Sequence, residues 1–187
     1  MEQPVQRDLV EAARNGDLEA FEALAIAAGD RLNAIATLIL RDRHQAEDAV
    51  QETFVRAWRD LPGLRDLDRF DAWLHRLLVN ACADVGRRQR RWSAEVRMIR
   101  SEPTTEDGST SLADRDQLER GFRRLKPEQR TVVVLHFYLG LTVPEIAETV
   151  GVPEGTVKSR LHYATEVLHA ALDADARGTV APNGQIA

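Results

Sequence analysis

"LTVPEIAETVGVPEGTVKSRLHYATEVL", Leu141 to Leu168, is the stretch whose reading decides the fold. Its apolar spacing predicts a short helix, a tight turn and a longer helix. Thr142-Val143-Pro144-Glu145 fits a capping box, in which Thr142 accepts from the Glu145 backbone and Glu145 reaches back to the N–H of Thr142. Pro144 falls in the first turn, where its missing donor is harmless. Ile146, Ala147 and Val150 face inward, and Gly151 can take the left-handed conformation between the helices. The second helix is expected to start near Pro153 or Glu154, with Val157, Leu161, Ala164 and Leu168 as its buried seam. That leaves Thr156, Lys158, Ser159, Arg160 and His162 on the exposed side near its N-terminus, the part that enters a major groove when such a hairpin reads DNA. Lys158 and Arg160 can meet phosphates or guanine edges, and Ser159 and Thr156 can meet either. The same spacing also suits a plain helical hairpin with a solvated charged face.

A DNA-reading head sits oddly in a chain of 187 residues with formal net charge -5. The composition, 43% hydrophobic and 29% charged, supports folded cores rather than disorder. Alternating strand patterns are nearly absent, so the expected fold class is all-α. Only Lys126 and Lys158 are lysine, and the other basic residues are arginine. A GC-rich genome would produce that bias, and arginine's planar fork also suits phosphates and base edges. Cys82 is the one cysteine, so no internal disulfide forms. Its apolar neighbours point to a buried structural thiol, with a redox sensor as the alternative. The five histidines do not cluster with cysteine as a metal site would require, and His136, His162 and His169 read as surface or packing residues. No nucleophile–base pair or phosphate loop is present, so no metal, no cofactor and no enzymatic activity are expected. No apolar run approaches the ~20 residues of a membrane span and no signal-peptide pattern opens the chain, so no membrane insertion and a cytoplasmic location are expected.

Upstream of the hairpin, helices are expected over 6–14, from an Asp17 cap to Ala28 where Gly29 would end it, and over 31–41. A fourth, 44–61, packs Ala46, Val50, Thr53, Phe54, Ala57, Trp58 and Leu61. Its other face carries Glu47, Asp48, Gln51, Glu52, Val55, Arg56 and Arg59. The next helix runs from Phe70 to Trp92, with Leu74, Leu77, Leu78, Ala81 and Val85 on one side. Trp73, Arg76, Asn80, Asp84, Arg87, Arg88 and Arg91 recur on another, mostly at three- and four-residue steps. Between Arg69 and Arg91 six arginines face Asp71 and Asp84, net +4. The acidic total therefore hides a basic stripe, and for a polyanion partner local charge outweighs net charge.

Residues 93–114, including "SEPTTEDGSTS" (Ser101 to Ser111), are polar and net -3. They read as an acidic flexible linker between a domain over 1–92 and a second over 115–173. The second domain opens with a helix over 114–124. Pro127 then suits the first turn of an apolar helix over 127–139. Residues 174–187 read as a disordered tail.

"AEDAVQETFVRAW" (Ala46 to Trp58), "FDAWLHRLLVNACAD" (Phe70 to Asp84) with its arginines, and "LKPEQRTVVVLHFYLGLTVPEIAETVGVPEGTVKSRLHYATEVL" resemble the sigma-70 family of bacterial RNA polymerase sigma factors. The match is to the extracytoplasmic-function (ECF) group, which keeps two helical domains. It covers roughly residues 15–92 and 115–172, and three motifs in the right order are a specific signal. The resemblance implies an alternative sigma factor that binds core RNA polymerase and directs initiation at promoter DNA. It also implies an answer to the charge paradox, since the core enzyme supplies most of the positive channel. By the family pattern, Asp48, Gln51 and Glu52 contact the clamp coiled coil of the largest polymerase subunit. The Phe70–Arg91 helix reads and opens the -10 element through Trp73, Arg76, Asn80, Asp84, Arg87, Arg88 and Arg91. Trp73 can stack on a base or be buried against neighbouring helices. The hairpin reads the -35 element through Thr156, Lys158, Ser159, Arg160 and His162. Pro153 departs from the pattern, which often has a capping serine there. The 127–139 helix resembles the part that sits on the polymerase flap tip, and the acidic linker would pass through the RNA exit path. An anti-sigma factor is a further partner implied by the resemblance alone.

Two rivals stand beside that reading. A DNA-binding regulator acting without polymerase would use the same hairpin but has no need of the Asp/Gln/Glu face on 44–61. A helical adaptor binding only proteins would have no need of the arginine stripe. DNA affinity falling steeply with salt favours a nucleic-acid role.

Overall fold

Asp17 begins the architecture of the first half. In the computed structural model, which describes the backbone of residues 3–99 and 113–178, its carboxylate accepts from the N–H of Ala20 and caps α2. Helix α1 (Gln3–Arg14) precedes it, and Gly16, at φ 97°, makes the turn between them. Helix α2 (Leu18–Leu40) is one continuous element of 23 residues, so Gly29 does not end a helix. Glycine costs a helix interior about 0.5–1 kcal/mol. Burial of Leu24, Leu32, Ile35, Ala36 and Ile39 on one stripe through that point outweighs it. The stop comes instead at Arg41, in the left-handed conformation at φ 60°, whose N–H bonds to Thr37 O at 2.7 Å. Read whole, α2 is long and apolar enough to cross a membrane by length and composition, contrary to the broken reading. Here it packs as the central helix against α1, α3 and α4, with Asp30 and Arg31 in mid-helix.

Asp42 caps α3 (Arg43–Asp60) through Gln45 N at 2.9 Å. Two short 3-10 turns, Leu61–Gly63 and Leu67–Arg69, lead into α4 (Phe70–Ile99). These four helices bury one core, including Val10, Leu32, Ile35, Leu61, Leu74 and Leu78. Cys82 is inside it, 2% exposed, and burial pushes its thiol up to about 12. The thiolate needed for redox chemistry is thereby disfavoured.

The second half holds α5 (Ala113–Arg124), α6 (Pro127–Val133), α7 (Val143–Val150) and α8 (Glu154–Gly178). Gly121 is the close approach between α5 and α8, for a Cβ there would lie 3.2 Å from that of Ala171. Helix α6 does not run to residue 139 as one α-helix. Val134–Tyr138 form a π-helical turn, closed by Leu139 N to Val134 O at 3.2 Å. Val132, Val133, Val134 and Leu135 are all buried in succession, because clusters on different sides of the segment take Val132 and Leu135, Val133, and Val134.

Two boundaries differ from the sequence reading. Residues 93–99 continue α4 and residues 113–114 open α5, so only residues 100–112 of the linker lie outside the described residues. Residues 174–178 continue α8, and residues 179–187 lie outside. Every described element is helical.

The halves also share their cores. Val79, on α4, is 7% exposed and packs in the second domain's cluster with Val132, Leu135, Ile146 and Val157. Val134, on the π turn, is 2% exposed and belongs to the first domain's cluster. Ion pairs Arg41–Glu119 and Arg69–Glu148, the latter at 2.9 Å, join the same two halves.

Candidate nucleic-acid and polymerase interface

Helices α3 and α4 pack side by side, and each gives one wall to a shallow cleft. Asp48, Gln51, Glu52 and Val55 stand on the α3 wall, with Val85 and Arg88 on the α4 wall. The packing thus brings together two residue sets that the sequence kept apart. Asp48 and Gln51 are exposed, while Glu52 is half-buried.

Arg56 links the walls. Its Nε donates to Glu52 Oε1 at 2.7 Å and its Nη2 to Asp84 Oδ2 at 2.9 Å. Arg87 donates to the other oxygen of Asp84. Burial opposes ionisation of Asp84, but the hydrogen bonds from Arg56 and Arg87 overcome it and hold the carboxyl below its usual range. Arg56 is in turn held above its ordinary value, first by Glu52 and then by Asp84. Asp84 is therefore a fixed anion with both oxygens already engaged. Sequence spacing had marked Glu52 and Arg56 as one exposed face. What it missed is that Arg56 crosses to a carboxylate 28 residues away. Val55, exposed at 64%, adds an apolar surface to the α3 wall of the cleft.

Along α4, Arg76, Asn80, Arg87, Arg88 and Arg91 are exposed, as their spacing implied. Trp73 is half-buried, with its ring centroid 5.9 Å from that of Phe70 and its body packed on the first core. Of the two roles left open for it, burial is realised on one side, and its remaining edge lines a crevice beneath α7.

The hairpin forms as its sequence implied. Glu145 Oε2 accepts from Thr142 N at 2.8 Å and from the Thr142 hydroxyl at 2.6 Å. Those bonds hold the Glu145 carboxyl below its ordinary range. Gly151 sits at φ 68° and its N–H bonds to Ala147 O at 2.9 Å. Helix α8 needs no capping serine, since the carbonyl of Pro153 takes the N–H of Thr156 at 2.9 Å and of Val157 at 3.2 Å. Lys158, Ser159 and His162 are exposed near the start of α8. Thr156 and Arg160 are only half-exposed, a correction to the fully exposed face expected. They flank Val157, which is fully buried, so part of each side chain lies on the seam. The Ser159 hydroxyl donates to Thr156 O at 2.9 Å and keeps its lone pairs for a donor. Lys158 lies 3.8 Å from Glu154. Among the described residues no group of His, Cys, Asp and Glu is placed to hold a metal ion.

Comparison with known proteins agrees with this layout. The profile of Sigma-70 region 2 matches residues 26–92, and that of Sigma-70, region 4 matches residues 115–165. The ECF RNA polymerase sigma-E factor of Haemophilus influenzae is 30% identical over 182 residues, covering 89% of this chain and 95% of its own. The solved structure of CnrH in complex with the cytosolic domain of CnrY superposes with a TM-score of 0.63 at 30% identity, covering 91% of this chain and 99% of that one. The sigma factor RpoE of Bartonella quintana, solved with the anti-sigma factor NepR, shares the fold at a TM-score of 0.67 and 23% identity, over 84% of this chain and 99% of that one. Two region matches in order, on two helical domains, together with a relative 30% identical over most of both chains, make this chain a member of the ECF group of the sigma-70 family of RNA polymerase sigma factors.

Proposed function

We infer that the chain is an alternative sigma factor that acts by bringing core RNA polymerase to promoters through a division of labour between its two domains. The observation that carries this is the α3–α4 cleft, where an acidic and amide face stands against an arginine-rich helix. Asp48, Gln51 and Glu52 offer acceptors and amides to a protein partner, the polymerase clamp coiled coil in this reading. Arg76, Arg87, Arg88 and Arg91 hold the sugar–phosphate backbone at the -10 element, and Asn80 presents donors and an acceptor to an unstacked base. Asp84, with both oxygens engaged, orients Arg87 and braces α4 against α3 rather than reading a base itself. The half-buried Trp73 offers one edge for stacking. In the second domain, Lys158, Ser159 and His162 meet the -35 major groove, with Thr156 and Arg160 reaching from its margin.

The protein works as a regulatory initiation factor in the cytoplasm, with catalysis left to the polymerase. Relatives solved with anti-sigma factors support an anti-sigma partner here too. The deciding experiment is in vitro transcription with purified core polymerase and a promoter library. Arg160→Ala is expected to cost about 1–3 kcal/mol of -35 discrimination if the guanidinium pairs with a guanine. Asn80→Ala is expected to spare -35 binding and lower open-complex formation. Equal losses at both elements would remove the division of labour, and no initiation by the wild-type holoenzyme would remove the function.

A further inference from the structure

We propose that the cavity between α1, α2 and α4 binds a small aliphatic α-amino acid, held at its carboxylate by Arg31 and His75 and at its ammonium group by Asp71. The cavity lies apart from the residues assigned above to polymerase and promoter DNA.

The cavity has a volume of about 240 Å³. Leu24, Ala27, Ala28 and Leu74 give it an apolar wall, and its polar groups are Gln6 from α1, Arg31 from α2, and Asp71 and His75 from α4. His75 marks it as a site. That side chain is 8% exposed, yet its ring opens onto the cavity with no hydrogen-bond partner among the described residues. Buried polar groups are normally paired, so an open imidazole facing a cavity points to a ligand. Burial first, and Arg31 after it, push the His75 pKa down to about 4, with Asp71 pulling it up. Both charges therefore act on the ring, which is neutral at pH 7 and offers one donor and one acceptor. Arg31 is exposed and makes no ion pair among the described residues. Asp71 Oδ1 accepts from Gln6 Nε2 at 2.8 Å, and Oδ2 stays open.

That set of groups selects the ligand. A guanidinium and a carboxylate at one cavity suit a zwitterion better than a lone ion. Phosphate would bring its charge against Asp71, and a metal cation would meet Arg31. A ligand carboxylate takes charge-assisted bonds from Arg31 and from the N–H of His75, and an ammonium donates to Asp71 Oδ2 and to the Gln6 carbonyl. The apolar wall takes an aliphatic side chain. An apolar cavity of about 150 Å³ admits benzene, so this one suits roughly six to ten non-hydrogen atoms, the range from alanine to leucine. Helical spacing sets Asp71, Leu74 and His75 on the side of α4 away from Arg76, Asn80, Asp84 and Arg87, so DNA along that stripe leaves the cavity open. An occupant would tie α1, α2 and α4 together through one molecule.

Isothermal titration calorimetry on the full chain, with L-alanine, L-valine and L-leucine as probes, tests this. At least one of them should saturate a single site per chain, about tenfold or more tightly than isobutyrate, isobutylamine or inorganic phosphate. Arg31→Met and Asp71→Asn each remove a charge-assisted bond and should each weaken that binding about tenfold. Histidine-selective carbon-13 NMR should show the His75 resonance, identified by its loss in His75→Leu, moving on saturation. His75 has no partner to lose, so His75→Leu should melt no lower than wild type while it loses amino-acid binding. If that variant fails to fold, Arg31→Met and Asp71→Asn, altered at exposed positions, decide. The proposal is overturned by no saturable binding of any of the three amino acids, or by binding that persists in Arg31→Met. Isobutyrate or phosphate binding as tightly as the amino acids overturns it too, as does saturation that leaves the His75 resonance in place.

Discussion

Arg56→Met removes the guanidinium that ties α3 to α4 while keeping most of the stem that packs between them. A hydrogen bond to a charged group contributes roughly 1.5–3 kcal/mol, and Arg56 makes two. Both carboxylates remain partly solvated, with side-chain exposures of 39% for Glu52 and 30% for Asp84. Solvent screening therefore brings the expected loss down to about 1–2 kcal/mol in total. Urea denaturation at pH 7 reads this as a fall in midpoint of roughly 0.5–1 M. A cycle with Asp84→Asn isolates the cross-helix pair, for which a coupling of about 1 kcal/mol is expected. The pH dependence gives an independent check. A carboxyl whose folded pKa is depressed contributes stability that is present above its unfolded pKa, here 3.8, and lost as pH falls through the folded value. Asp84 loses part of that depression without Arg56, so the gap between wild type and variant should narrow below about pH 4. In the functional assay the variant should lower open-complex formation more than core binding, because α4 loses its brace while Asp48 and Gln51 stay in place. A loss under about 0.3 kcal/mol, or a stability gap constant from pH 7 to pH 3, would show that the Arg56 bridge does not hold α3 to α4.

His75, 8% exposed on α4, is pushed down to about 4 by burial and secondarily by Arg31. The unfolded chain then binds the extra proton first, so stability should fall by about 3 kcal/mol as pH drops from 6.5 toward 4. His75→Gln should flatten that window in a pH series of thermal melts, and an unchanged slope would exclude His75 as its source. Gly151→Ala places a Cβ at φ 68° and should cost the second domain about 1–2 kcal/mol. Because nothing lies within 4 Å of the added atom, the loss is backbone strain alone, and Gly151→Asn should recover part of it. Equal stability of the alanine variant would contradict the left-handed turn.

The hairpin was legible because every signal in it is local. A threonine and a glutamate three residues on, a glycine at the turn and a buried seam at helical spacing are enough to place α7 and α8. The same logic failed at Gly29, where a residue that often ends helices sits inside α2. Its immediate neighbours carry no sign that Leu32, Ile35, Ala36 and Ile39 extend the stripe of Leu24 into one core. It failed again at Val132–Leu135, because an amphipathic pattern assigns one buried stripe to a helix, whereas this segment is packed on several sides, with Val132, Val133 and Val134 in three different clusters.

The exposure of most candidate residues was legible because exposed polar positions on a helix face follow from where the apolar stripe lies. What periodicity cannot report is which partner an atom chooses. Arg56 reads as an i,i+4 partner of Glu52, and only the packing of α3 on α4 gives it Asp84. Val79 is the sharper case. A valine off the apolar stripe of α4 looks like an ordinary surface residue, and surface valines need no explanation. Its burial arises from the other domain, more than fifty residues along the chain. An off-stripe apolar residue beside basic ones on a helix thus has two meanings, an ordinary surface position or a seat for the chain's own second domain. The two part company on substitution by aspartate: a surface valine leaves the packing of the second domain unchanged, and a seat loosens it against Val132, Leu135, Ile146 and Val157.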